Sequence, residues 1–140
     1  MARPRDLRFE RAIAFAQDLI RIPSPPGAEE ALARRVRREL ETLRFDDVWT
    51  DDLGNVLARV RGTGSAPPVL LACHLDAVDP GDPAEWEHPP YAGRIDGGWL
   101  HGRGAIDIKG PLALQTYAAA TFLETRPPGD LLLAHTVLEE

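Results

Sequence analysis

The chain has 140 residues, enough for one folded unit that buries roughly 68–70% of its unfolded surface. With 44% apolar and 27% charged residues it has neither the composition of a disordered chain nor that of a membrane-spanning one. Its net charge is −6 and its sixteen Lys and Arg are scattered, apart from Arg34, Arg35, Arg37 and Arg38, which argues against a nucleic-acid partner and leaves that cluster as a solvated helix face.

From Leu7 to Ile20, apolar residues Phe9, Ala12, Ile13, Ala16, Leu19 and Ile20 recur at helical spacing, and "IPSPPG" ends the pattern. A second helix follows, with Glu29 and Glu30 where a helix N-terminus favours negative charge and Leu32, Val36, Leu40 and Leu43 on its buried face. Short strands are expected at 47–50, 55–61 and 69–73, separated by "DDLGN" and "GTGSAPP". The run "PVLLAC" is apolar on both faces, as a strand covered on two sides would be. Residues 80–98 read as a long surface excursion rich in Pro, Gly and charge. A third helix begins near 109–111, with Pro111 tolerated in its first turn, and continues to about Glu124. The final run, "LLLAHTVLEE", is a strand reaching two glutamates. Alternating helices and strands predict an α/β sandwich, helices on a mixed or mostly parallel sheet, with no repeat or interdomain linker.

Three clusters can carry chemistry. His74 and Asp76, two apart at a strand end, face one side while Cys73 faces the other. A carboxylate beside an imidazole can fix its tautomer and free the other nitrogen for a metal or a proton, although a structural histidine held by a nearby acid satisfies the same pattern. In "HGRGAIDIKG", glycines surround Asp107 at a density that suggests special backbone angles, while helix capping is the commonest use of such an aspartate. Neither a phosphate-loop nor a dinucleotide pattern is satisfied there, which ranks a nucleotide-binding domain last. Glu139 and Glu140 follow an apolar run, where adjacent carboxylates need either solvent or a cation. All three clusters come after apolar runs, where an α/β sheet gathers its functional loops. One imidazole with several carboxylates suits Zn²⁺, with Co²⁺ or Mn²⁺ as substitutes. The single cysteine cannot form an internal disulfide, which fits a reducing, cytoplasmic location.

"HLDAV", Trp86, Pro90 and Tyr91, "DGGWLHGRGAIDIKG" and the terminal "EE" together resemble the aminoacylase, acetylornithine deacetylase and succinyl-diaminopimelate desuccinylase family of dinuclear zinc hydrolases. The likeness runs from about Leu7 to Glu140. It implies a zinc-peptidase-like α/β sandwich in which His74 binds one of two zinc ions, Asp76 orients it, Asp107 bridges both ions, Glu139 is the general base and Glu140 holds the second ion. The peptide after Asp107 is often cis in this family. The implied activity is hydrolysis of an amide in an N-acyl amino acid or small peptide, with Glu139 deprotonating a metal-activated water and returning the proton to the leaving amine. Full-length relatives are often homodimers.

Two departures matter. Cys73 stands where the motif usually has glycine, and the chain ends before the family's further acidic ligand and late histidine ligand. Residues 1–140 are therefore expected to be the N-terminal portion of a catalytic domain, incomplete at the C-terminus and without the lid or dimerisation domain. Each metal is left with two protein ligands rather than three, so the alternative is a non-catalytic truncated fragment that binds metal weakly. His88, His101 and His135 match no family ligand position. Of these, His135 reads as a packed or hydrogen-bonded residue and His101 as one that could approach the site.

Overall fold

A computed structural model describes residues 7–140. Helix α1 spans Leu7–Ile20 and α2 spans Glu30–Thr42, followed by strands β1 (Asp47–Thr50), β2 (Val56–Val60) and β3 (Val69–His74). After a long loop come β4 (Arg94–Asp96) and β5 (Trp99–His101), then α3 (Gly110–Ala120), α4 (Phe122–Thr125) and β6 (Leu131–Thr136).

The helices form where apolar spacing predicts them. Helix α1 buries Ala12, Phe15, Ala16, Leu19 and Ile20, while Phe9, expected on the same stripe, is 56% exposed. Helix α2 buries Leu32, Val36 and Leu40. Its arginines behave unequally. Arg34 and Arg37 pair along the helix with Glu30 and Glu41, in the exposed spacing that contributes only a few tenths of a kcal/mol. Arg35 lies with its guanidinium 4.7 Å from the Phe15 ring centre and bridges Asp18 at 3.0 Å and Glu39 at 2.7 Å. It ties α2 to α1, so the basic cluster is not simply a solvated face.

The main sheet has the order β1-β2-β6-β3. Strands β1 and β2 form an antiparallel hairpin, β2 and β6 are antiparallel, and β3 and β6 are parallel, joined through α3 as a parallel pair requires. The sheet is thus mixed, and its core face carries Val56, Ala58, Val60, Cys73, Leu131 and Leu133 under α1, α2 and α3. Each Val or Leu side chain removed from water in this way is worth about 1.5–3 kcal/mol.

Three further features differ from expectation. The apolar start of β3 is not covered on both sides, since Val69 is 55% and Leu70 60% exposed, because β3 is an edge strand paired only with β6. The expected single helix to Glu124 stops at Ala120 and resumes as the short α4. The excursion after Pro80 gives way to the β4–β5 hairpin, turned by Gly97 and Gly98 with φ of 56° and 86°. A two-residue turn with both φ values positive is one that Gly-Gly adopts without steric cost, so the hairpin signal was present in the sequence. Among the described residues no helix is long and apolar enough to cross a membrane.

Candidate metal centre

Strand β3 ends at His74, and the chain bends so that Leu75 and Asp76 turn into the protein. The loop after α1 supports that bend. Ser24 Oγ donates to the Leu75 carbonyl at 2.9 Å and Ala77 N donates to the Ser24 carbonyl at 2.9 Å. Lys109 Nζ, fully buried, donates to the Ile22 carbonyl at 2.7 Å. Burial pulls the Lys109 pKa down to about 8. Gly104, at φ 76°, is the tight point of the glycine-rich segment, where an added Cβ would stand 3.2 Å from Lys109 Cδ and 3.4 Å from Ala77 Cβ. The Asp107–Ile108 peptide that follows is cis.

These supports bring the sequence-predicted residues together around His74. Its Nε2 lies 3.0 Å from Asp107 Oδ1 and 3.8 Å from Glu139 Oε2. Its Nδ1 lies 2.9 Å from the Asp76 carbonyl oxygen and 3.5 Å from Asp76 Oδ1. One ligand atom each from His74, Glu139 and Glu140 can be chosen so that all lie within 4.8 Å of one another, and Asp107 joins this group at His74 Nε2. The His74 ring is nearly buried, whereas Asp107 and Glu139 are mostly exposed, so the cluster opens to solvent on its carboxylate side.

Electrostatics favour a cation here. Burial by itself lowers the His74 pKa, but the hydrogen bond that the ring donates to Asp107 and the contacts with Asp76 outweigh it and hold the ring above the ordinary histidine value. Both ring nitrogens face oxygen acceptors, so the metal-free ring is stabilised with two protons. A divalent cation at Nε2 would take the place of one proton, and Nδ1–H pointing at Asp76 fixes the tautomer that leaves Nε2 free for it. The donor set of one imidazole and carboxylates fits a borderline divalent metal.

Asp76 has a further position that strand alternation did not reveal. It is fully buried, and its Oδ2 accepts from Glu139 N at 2.9 Å and Glu140 N at 2.8 Å, while its Oδ1 has no hydrogen-bond partner among the described residues. The aspartate therefore links the His74 segment to the acidic pair, 63 and 64 residues away along the chain.

Among the described residues none of the other histidines belongs to this group. His101 packs edge-on against His88 with ring centres 4.5 Å apart, and His88 faces Asp96 at 3.6 Å. His135 is fully buried, with neither ring nitrogen hydrogen-bonded among the described residues, and burial pushes its pKa down to about 4. Cys73 faces the opposite side from His74, as alternation predicts, and its thiol is 2.6 Å from Gln115 Oε1. Outside the cluster, the Arg103 guanidinium sits 5.1 Å from the Trp86 ring centre and Trp86 Nε1 donates to the Pro80 carbonyl at 2.9 Å, which pins the loop after Asp76.

A family model described as Peptidase family M20/M25/M40 matches residues 70–140. The chain is 42% identical over 123 residues to succinyl-diaminopimelate desuccinylase from Methylobacterium sp. (strain 4-46), covering 83% of this chain and 31% of that protein. Among solved structures, the dipeptidase Dug1p from Saccharomyces cerevisiae superposes with a TM-score of 0.84 at 21% identity, over 96% of this chain and 33% of that one. The YXEP protein of Bacillus subtilis, described as a dinuclear metal binding peptidase, superposes with a TM-score of 0.70 at 21% identity, over 92% of this chain and 35% of that one. These two likenesses show the fold. The chain spans about a third of the length of the curated relatives it matches.

Proposed function

The chain belongs to peptidase family M20/M25/M40, and from that membership we propose that it forms part of a metal-dependent hydrolase of amide bonds in N-acyl amino acids or small peptides. The observation that carries this is the convergence of His74, Asp107, Glu139 and Glu140 at one end of the sheet, with buried Asp76 behind them. The chain corresponds to the N-terminal portion of a catalytic domain. Its location is the cytoplasm, in keeping with the free, buried Cys73.

His74 and Asp107 would hold one Zn²⁺, and Asp107 and Glu140 a second. When bound, the metal supplies Lewis acidity toward the amide carbonyl and makes water acidic enough to lose a proton near neutral pH. Asp76 keeps the His74 ring in one orientation and tautomer. Glu139, exposed on the open side of the cluster and 3.8 Å from His74 Nε2, takes a proton from the attacking water and returns it to the leaving amine. Water and amide thus become acid and amine with no proton left over.

The test separates the glutamates. Zn²⁺ content is measured by equilibrium dialysis in the parent chain and in His74→Ala, Glu139→Gln and Glu140→Gln. Turnover of N-acyl amino acids and dipeptides is followed in the chain alone and joined to the remainder of a relative's catalytic domain. Glu139→Gln should keep its metal and lose most of the rate, whereas His74→Ala and Glu140→Gln should lose metal. Loss of metal only in the Glu139 variant exchanges the two roles, and a parent chain that binds no Zn²⁺ in either form refutes the metal centre.

A further inference from the structure

The last strand contacts are the His74↔Thr136 pairing and Leu75 N donating to the Thr136 carbonyl at 2.7 Å. Beyond them, residues 137–140 carry the two glutamates into the cluster with no ladder to fix their direction. Their backbone N–H groups are taken by side chains from three distant places. Asn55 Oδ1 accepts from Val137 N at 2.9 Å, Glu29 Oε1 accepts from Leu138 N at 3.1 Å, and Asp76 Oδ2 accepts from the next two. Leu138 sits at φ 59°, a left-handed conformation that a leucine keeps only where its surroundings hold it.

Resting on the metal-centre reading above, we propose that Glu29 and the Asp51–Asn55 pair are positioning residues, which hold the backbone at 137 and 138 so that the Glu139 and Glu140 carboxylates arrive within reach of His74. None of the three touches a reacting atom.

The residue types fit this role closely. Asn55 must accept from Val137 and donate elsewhere at the same time, and its Nδ2 donates to Asp51 Oδ2 at 2.8 Å. Asp51 is itself immobilised, because its Oδ1 accepts from the N–H groups of Leu53, Gly54 and Asn55 at 3.0, 3.1 and 2.9 Å. The β1–β2 turn is thereby a rigid mount for one amide oxygen aimed at Val137. Glu29 immediately precedes α2, where a carboxylate would ordinarily face water, yet it is only 5% exposed. Its Oε1 joins Gly27 N at 3.0 Å to Leu138 N, across 109 residues of sequence. A buried carboxylate is costly unless such donors compensate it, so its position here is specific rather than incidental.

Two readouts test the proposal on the full chain, amide hydrogen exchange by NMR without metal and Zn²⁺ affinity by competition with a chelating dye. N55D sets a carboxylate oxygen against Asp51 Oδ2 and should speed exchange at Val137 about tenfold and weaken Zn²⁺ binding about 10–100-fold. D51N/N55D restores a donor opposite an acceptor with the two sides exchanged, and should bring both values back toward the parent. E29A should release Leu138 in the same way, while E29Q, which keeps an oxygen for both amides, should not. A purely packing role predicts instead that the double variant is worse than N55D and that exchange rises throughout β2 and β6. Either result, or unchanged protection at 137 and 138 in N55D and E29A, overturns the proposal. If N55D does not fold, D51N/N55D and E29Q decide it by the same measurements. A parent chain that binds no Zn²⁺ overturns the metal reading instead, and the exchange data then judge the positioning roles by themselves.

Discussion

His135 should make the fold acid-labile in a way that one substitution removes. Its ring is fully buried on the core face of β6, paired in register with Cys73 on one side and Val56 on the other, with no hydrogen-bond partner for either nitrogen among the described residues. The unfolded chain takes up a proton on this residue near pH 6.5, whereas burial delays uptake in the folded chain to about 4. Because the folded pKa is depressed, this contribution to stability is whole above 6.5 and is lost as pH falls through the window down to about 4. At about 1.4 kcal/mol per unit, the loss is about 3 kcal/mol, a large share of the roughly 5–15 kcal/mol that holds a domain together. His135→Leu cannot take up the proton and also removes two unpaired polar atoms, so it should equal or exceed the parent in stability at neutral pH. Urea unfolding of both proteins from about pH 7.5 to about pH 4 gives the difference directly, and other titrating groups cancel in the subtraction. A difference between the two proteins that stays flat to within about 1 kcal/mol from pH 6.5 to 4 would mean that His135 titrates as an ordinary histidine and does not make the fold acid-labile.

Zn²⁺ should raise the melting temperature of the chain, by a stabilisation of about 2.7 kcal/mol at a hundred times its Kd, and the shift should vanish in His74→Ala; a shift that persists in that variant places the ion elsewhere. Asp76→Ala removes two charge-assisted hydrogen bonds to the Glu139 and Glu140 amides and should cost about 3 kcal/mol in urea unfolding, together with a roughly 10–100-fold loss in Zn²⁺ affinity by calorimetry. Gly104→Ala, at φ 76° and with Lys109 and Ala77 close to the new methyl group, should destabilise by about 1–2 kcal/mol; a cost below a few tenths would mean that the glycine-rich segment relaxes freely. Cys73, whose thiol pKa is raised by burial, should react with a disulfide reagent at the rate of unfolding rather than at that of an exposed thiol.

Much of this protein was legible in one dimension. Helix α1, the buried face of α2 and strand β1 follow from apolar spacing and punctuation that act between residues one to four apart, and such local rules need no knowledge of the rest of the chain. Charge placed after apolar runs marked His74, Asp76, Asp107, Glu139 and Glu140 as candidates, and the resemblance of their motifs to a dinuclear hydrolase family is what joined them in one expected site. The Gly97-Gly98 hairpin is equally local, although the surrounding Pro and Gly read as a loop. The features beyond reach of local pattern are contacts between distant segments. Nothing near Glu29 in sequence says that its carboxylate turns inward to Leu138, and nothing near Asp76 says that one of its oxygens is shared by the amides of Glu139 and Glu140. The exposure of Val69 and Leu70 depends on β3 standing at the edge of the sheet, and the isolation of His135 depends on which strands flank β6. Sequence pattern determines which groups prefer burial or charge. The identity of the partner that satisfies each group depends on how the chain closes on itself, because a hydrogen bond or a buried ring is specified by atoms within a few ångströms, whatever their separation along the chain.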